Sequence, residues 1–253
     1  MGLIGDIVSE ARRALLTARL ALSRIAPPPP LTDDRVDAFG LSFPGPLGVA
    51  AGVDRDGRLA GRLLSAGFSF VEVGTVTSER WFPHNPGAAA VAGNLAKRRG
   101  IVAVNVGARR PGLGEDAAAE CLAAMRTTAD VADFFVLNMS SPRRRGDGFR
   151  QFLQHARNAA PVGKPLLVKT CAADPRCGEI LSAARAAGYD GAVAVADTPT
   201  LAAVARDHSG WPLISVGGVA STADVNARRA AGARLVQVCG ALLRGGLRRE
   251  KAT

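Results

Sequence analysis

Aromatic side chains are scarce in this chain: one tyrosine, two tryptophans and nine phenylalanines supply 5% of 253 residues. Alanine is abundant instead, so the core must pack mainly on aliphatic groups. Histidine is limited to three widely spaced copies, and the four cysteines, Cys121, Cys171, Cys177 and Cys239, include no C-x2-C pair. The spacing of a zinc site is missing, and no metal is expected. No signal peptide with a cleavage site is visible. That points to a reducing, cytoplasmic compartment and to free cysteines that act as small buried hydrophobes. No apolar run is long and unbroken enough to span a bilayer. Acidic groups are outnumbered, 22 against 32 Lys and Arg, for a formal charge of +10. The excess is almost all arginine scattered through helical stretches. Few aromatics interleave with it and no helix-turn-helix, zinc-finger or RRM signature occurs, so nucleic acid is not an expected partner.

What is present is apolar periodicity. With 47% hydrophobic residues and no linker dividing its middle, the chain suits one well-buried core. Residues 1–30 stand apart from it. Leu3, Ile4, Ile7, Val8, Ala11, Leu15, Leu22 and Ile25 recur near helical spacing and Arg12, Arg13, Arg19 and Arg24 fill much of the rest, which predicts an amphipathic helix over 3–25. Such a helix either lies on the inner face of an anionic membrane as a peripheral contact or packs across the bottom of the next domain. Prolines 27–30 then form a stiff spacer that cannot continue the helix. Over residues 31–253, eight short apolar runs recur, at 47–50, 70–73, 101–105, 134–138, 166–169, 191–195, 213–216 and 235–238, mostly separated by alanine-rich helical stretches. Continuous apolar runs suit parallel strands buried on both faces, and alternation with helices suits right-handed βαβ units. Eight units in one domain predict a single (β/α)8 TIM barrel; an open doubly wound sheet would require one or two of the runs not to be strands.

Polar residues and glycines stand at the carboxyl ends of these runs: Ala51 and Gly52, Gly74 and Thr75, Asn105, Asn138, Lys169, Gly217 and Gly218, Cys239 and Gly240. In a barrel those ends form one face, so residues distant in sequence converge on one mouth. Glycines after the seventh and eighth strands let backbone N–H groups approach phosphate oxygens, although two tight turns without a ligand would read the same way. Lys169 ends an apolar strand and points toward the mouth. It can stabilise negative charge on a cofactor or substrate, form a Schiff base, or pair structurally with an interior carboxylate. Asn138 can donate and accept hydrogen bonds there. Ser141, in Asn138-Met139-Ser140-Ser141-Pro142, acts as a base only if something accepts its proton, and no histidine adjoins it in sequence. By spacing alone this is a serine–proline turn.

Taken together these residues resemble the dihydroorotate dehydrogenase family, especially its membrane-associated, quinone-using class. The resemblance runs from about Val36 to about Gly246. Residues 40–43 and 47–54 look like the family's opening hairpin and first strand, and Glu72-Val73-Gly74-Thr75-Val76-Thr77 is similar to its second-strand motif. Val104-Asn105-Val106-Gly107, Asn138 to Pro142, Val168-Lys169, Ser215-Val216-Gly217-Gly218-Val219 and the stretch 231–238 follow in family order. The resemblance implies flavin mononucleotide (FMN) as cofactor, with contacts from Ala51, Gly52, Thr75, Asn105, Asn138 and Lys169. Its phosphate would be held by Gly217, Gly218, Cys239 and Gly240. Ser141 would be the catalytic serine that takes a proton from substrate carbon while hydride passes to the flavin, with Lys169 stabilising the flavin. The amphipathic start resembles, in shortened form, the segment through which that class meets membrane and quinone.

Departures from the family pattern gather on the substrate side. Arg55 replaces a lysine of the first strand end, and Arg143, followed by Arg144 and Arg145, replaces an asparagine. Val195 and Ala196, then Asp197, stand where a Thr-Asn pair is expected; an asparagine-rich segment after the second strand is reduced at most to Asn94; a glycine-rich insertion between the sixth and seventh strands is missing. Orotate is planar, polar and anionic, and each lost partner costs about 1–3 kcal/mol. The pattern implies an FMN-dependent oxidoreductase acting on a small anionic substrate other than dihydroorotate, with Arg55, Asn138 and Arg143 as substrate contacts and a quinone or other group as electron acceptor. The arginine run can bind a carboxylate or phosphate bidentately, or be a solvated basic loop. A catalytically silent paralogue serving as a binding or regulatory subunit, and a flavin-free barrel lyase or isomerase, are the competing classes.

Overall fold

Each of the eight apolar runs becomes a strand of one closed parallel barrel in the computed structural model, which describes residues 35–81, 85–141, 144 and 146–244. The strands are β3 (Leu47–Asp54), β4 (Phe70–Val76), β5 (Ile101–Val106), β6 (Phe134–Asn138), β7 (Leu166–Cys171), β8 (Gly191–Val195), β9 (Leu213–Val216) and β10 (Leu235–Val238). They pair in chain order, and β10 closes on β3 through Val236↔Leu47 and Val238↔Val49. All eight begin where the apolar pattern begins. Four of them, β3, β4, β5 and β7, run past it at their carboxyl ends, where glycines and polar residues continue the ladder into the mouth. A short antiparallel hairpin, β1 (Val36–Ala38) with β2 (Leu41–Phe43), precedes the barrel. The amphipathic stretch 3–25, the proline spacer and Arg143 lie outside the described residues.

Helices alternate with the barrel strands: α1 (Ala60–Ser65), α2 (Ala88–Leu95), α3 (Glu115–Thr127), α4 (Phe149–Asn158), α5 (Cys177–Ala186), α6 (Thr198–Asp207), α7 (Thr222–Ala230) and α8 (Gly240–Arg244). None is long and apolar enough to cross a membrane. Side chains alternate across each strand, so one set faces the helices and the other faces the barrel axis. The outward set (Val49, Val71, Val73, Val102, Val104, Leu137, Val168) packs on helix residues such as Leu63, Val91, Met125, Leu153 and Ile180 to form the larger apolar cluster. Alanine fills the closest helix approaches, as the composition demands. Of the four free cysteines only Cys121 on α3 is fully buried, and burial pushes its thiol up to about 12. Cys171, Cys177 and Cys239 are half-buried, so the reading of every cysteine as a buried hydrophobe holds for one of them.

The few aromatics are not spread evenly. Phe39 and Phe43 of the hairpin meet Phe70 of β4 and Phe134 of β6, with ring centroids 5.3–6.4 Å apart. These rings cap the amino-terminal end of the barrel, and the hairpin presents them there by burying Val36, Ala38 and Phe43 in the inner cluster. Rings this close leave no room beside them. A Cβ at Gly191 would meet the Phe39 ring at 2.3 Å and the Pro212 carbonyl oxygen at 2.6 Å. Because one obstacle is backbone, Gly191→Ala is expected to destabilise the protein by about 1–3 kcal/mol, the usual cost of overpacking. A urea midpoint unchanged from wild type would refute that account of the barrel bottom.

Candidate active site at the barrel mouth

The carboxyl ends of β3, β4, β6 and β7 surround a cavity of about 370 Å³, within the range of small-ligand sites. Ala51, Gly52, Arg55, Thr75, Asn138, Ser141 and Lys169 all line it, although they span more than a hundred residues of sequence. The fold thus brings together most of the residues singled out from sequence. Trp81, Asn85 and Arg144 also line it, and among the described residues none that lines it is acidic. Gly52 has φ +95°, and a Cβ built on it would have nothing within 4 Å, so its backbone faces open space. Asn105 is placed differently. It is fully buried beneath the mouth and does not line the cavity.

Asn105 belongs to a polar layer inside the barrel. The strand alternation that directs Phe70, Ala103, Leu167 and Leu235 to the axis also directs Glu72, Asn105, Lys169 and Gln237 there, one step nearer the mouth. Glu72 is wholly buried. Its Oε1 accepts hydrogen bonds from Asn105 Nδ2 at 2.6 Å and Lys169 Nζ at 2.8 Å, and its Oε2 accepts one from Gln237 Nε2 at 2.6 Å. Lys169, on β7, therefore both pairs with an interior carboxylate and lines the mouth. The structural and functional alternatives open to it in sequence coincide. Two buried oxygens, Asn105 Oδ1 and Gln237 Oε1, have no hydrogen-bond partner among the described residues. Glu72 and Gln237 were not recognised as site residues from sequence. Their signal was a lone polar residue in the middle of an apolar strand, at the interior register.

Around the rim, hydrogen bonds set side-chain directions. Asn138 Nδ2 donates to Thr75 Oγ1 at 2.9 Å, and Asn138 Oδ1 accepts from the Ser140 amide and hydroxyl at 3.1 and 2.8 Å. This closes an Asx turn that carries the chain from β6 to Ser141. Asn85 Nδ2 donates to the Thr75 carbonyl at 2.5 Å, and Trp81 and Asn85 form a backbone bridge. Asn85 was also missed, because it sits in a loop with no periodic signal.

None of the proposed phosphate-loop residues lines this cavity. Gly217 (φ +113°) and Gly218 (φ +70°) both adopt backbone conformations that favour glycine. Cys239 Sγ lies 4.0 Å from the Ala51 carbonyl, which places the start of the β10 loop beside the cavity wall. The Gly217–Gly218 turn is held from outside by the buried Arg228 of α7, which donates to the Gly217 carbonyl at 2.6 Å, to Ser215 Oγ at 3.0 Å and to the Ala196 carbonyl. Nothing in the periodicity of α7 distinguished Arg228 from the surface arginines around it.

Several departures from the family pattern take local structural roles. Asp197 caps the amino end of α6 by accepting from the Thr200 amide at 2.9 Å, and that hydrogen bonding holds its carboxyl below the usual range. Asn94 of α2 donates to the Asp56 carbonyl at 2.8 Å and does not line the cavity. Arg144 is no part of a solvated loop. It is 2% exposed, and its guanidinium donates to the carbonyls of Ala108, Arg110 and Gly112, tying the β5 loop to the β6 loop while still lining the cavity.

Beside Arg55, Asp54 ends β3 almost fully buried, with its carboxylate accepting from the Gly57 amide at 2.9 Å and the Leu59 amide at 3.1 Å. Burial, reinforced by nearby Asp56, outweighs those bonds and raises its pKa from 3.8 to about 6. A group that binds its proton more tightly when folded contributes its full stability below the unfolded value and loses it as pH rises through the folded one. Between about pH 4 and 6 the wild type should therefore lose roughly 3 kcal/mol from Asp54. Asp54→Asn should flatten that part of a urea-denaturation profile; an identical slope in both proteins would contradict the assignment.

Comparison with known proteins places this geometry in a family. No family model matches the chain. Among curated relatives, dihydroorotate dehydrogenase (quinone) of Clavibacter michiganensis is 36% identical, over 84% of this chain and 80% of its own length. The protein of the same name from Thermus thermophilus is 34% identical over 84% and 79% of the two chains, and that of Stenotrophomonas maltophilia is 31% identical over 90% and 83%. Among solved structures, ligand-free DHODH from Eimeria tenella superposes with a TM-score of 0.78 over 93% of this chain and 90% of that one; at 21% identity this speaks to the fold alone. A shared barrel, together with more than 30% identity across most of both chains, makes this chain a member of the dihydroorotate dehydrogenase family.

Proposed function

We propose that the protein is an FMN-dependent oxidoreductase of the dihydroorotate dehydrogenase type, acting on a small anionic substrate other than dihydroorotate and passing electrons to a quinone. The observation that carries this reading is the mouth cavity itself, where Thr75, Asn138, Ser141 and Lys169 converge with Arg55 and Arg144 and, among the described residues, no acidic one lines it. The residues present fit the cofactor. The cavity has about 370 Å³, the Gly52 backbone opens onto it, Asn105 Oδ1 beneath it is a buried acceptor without a partner among the described residues, and the β10 loop begins with Cys239 against the lining residue Ala51. Ala51, Gly52, Thr75, Asn138 and Lys169 would hold the ring system, and Gly217, Gly218, Cys239 and Gly240 its phosphate. The quinone acceptor is supported by the names of the curated relatives.

Bound FMN supplies the acceptor for a hydride leaving a substrate carbon. The chain's own work is to orient and to move a proton. Asn138 and Thr75, fixed on each other, orient polar groups at the cavity floor. Ser141 would take the proton from the neighbouring substrate carbon while its own hydroxyl proton passes to solvent water at the open mouth, a role that positioned general bases fill with about 10²–10⁴-fold acceleration. Arg55 and Arg144 supply a positive potential that favours an anion over a neutral analogue. The altered positions Arg143, Val195 and Ala196 support a substrate other than dihydroorotate, because amide and hydroxyl partners that a planar polar ring requires are replaced there, and Arg55 exchanges one cation for another beside them.

Purified protein is expected to be yellow or to become so on reconstitution with FMN. A colourless protein that fails to bind FMN would overturn the cofactor assignment. In anaerobic mixing, dihydroorotate should leave the flavin oxidised, and rapid bleaching would show that the ordinary family substrate is retained. Ser141→Ala should slow flavin reduction by the true substrate about 10²–10⁴-fold while leaving the colour intact; loss of colour would make Ser141 a structural residue.

A further inference from the structure

Lys169 is a cavity-lining cation, yet its charge is not presented to the cavity alone. Its amine is 2.8 Å from Glu72 Oε1, with side-chain exposures of 9% and 0% for the two residues. Glu72 is held in turn by Asn105 and Gln237, so its position does not depend on the lysine. A carboxylate at contact distance offsets a large share of the potential that the lysine presents to a ligand, and more of it the farther the ligand atom lies from the amine.

We propose that Glu72 is a positioning residue that clamps Lys169 at the cavity floor and neutralises it, so that the flavin meets a hydrogen-bond donor within a neutral ion pair rather than a free cation. The inference rests on the FMN reading above. Its consequence is a flavin potential kept lower than an unpaired lysine would impose, because a free cation favours the electron-rich reduced ring. The network is built so that the charge can be removed without dismantling it. Gln237 Oε1 lacks a partner, so in Glu72→Gln the Gln237 amide can turn over and accept from the new amide while Asn105 and Lys169 keep their acceptor.

Anaerobic redox titration of the FMN-loaded protein tests this, with FMN dissociation constants measured in parallel by fluorescence. Glu72→Gln should retain FMN and favour the reduced form about tenfold more than wild type does, an upward midpoint shift of about 30 mV for the two-electron couple. The double variant Glu72→Gln/Lys169→Met exchanges one neutral pair for another and should return to the wild-type midpoint. An unshifted Glu72→Gln midpoint would overturn the proposal, and so would a double variant falling well below wild type, which is the signature of a lysine acting as a free cation. If the single variant does not load, the double variant decides by the same criterion. Failure of both to bind FMN counts against the proposal, since it assigns Glu72 a charge and not the fold. A wild-type protein that binds no FMN would instead overturn the cofactor reading on which the inference rests.

Discussion

The buried carboxylate of Glu72 organises the upper half of this barrel. It draws donors from β5, β7 and β10 to the strand β4 that carries it, so one side chain links four of the eight staves across the axis. Below it the axis is filled by phenylalanine and aliphatic groups, and above it the cavity opens. The layer is thus the boundary between a core that packs and a mouth that binds. Desolvating a carboxylate and an ammonium is costly, and the pair persists because each oxygen of Glu72 is hydrogen-bonded. That cost is more readily understood as preparation for a ligand than as a source of stability.

Around this floor, charged side chains are used as fasteners. Arg144 and Arg228 are both buried, and both donate to backbone carbonyls, Arg228 to the Ser215 hydroxyl as well: one joins the loops after β5 and β6, the other holds the glycine turn after β9. Loops that carry a binding site need such restraint, because their own backbones have no ladder to complete. The arginine-rich composition therefore has two physically different components. Some of these guanidinium groups face solvent, while these two determine the shape of the mouth.

The order and starts of the barrel strands were legible in the sequence because parallel strands buried on both faces produce continuous apolar runs, and eight of them occupy residues 47–238 in regular alternation with helices. Their carboxyl ends were less so, since four strands run past the apolar pattern, yet the polar residues that follow each run marked Thr75, Asn138, Ser141 and Lys169 as members of one mouth. Asn105 stands near the end of its strand on the inner face, as its position in the apolar run implied, but period-two alternation does not tell how deep it lies beneath the cavity. Arg144 belonged to a run open to two readings, an anion-binding site or a solvated basic loop; three carbonyl partners more than thirty residues away bury it.

Sequence alone determined the alternation of strand and helix, the closure implied by eight units, and the chemistry of the side chains at each strand end, because those are local properties of periodicity and residue type. Tertiary structure alone decided which of those groups meet. That Lys169 pairs with Glu72, that Gln237 completes the pair from the far end of the chain, and that Arg228 rather than a surface charge holds the glycine turn follow from strand tilt and register around a closed barrel. Those are set by the packing of all eight strands at once, and no segment read by itself contains them.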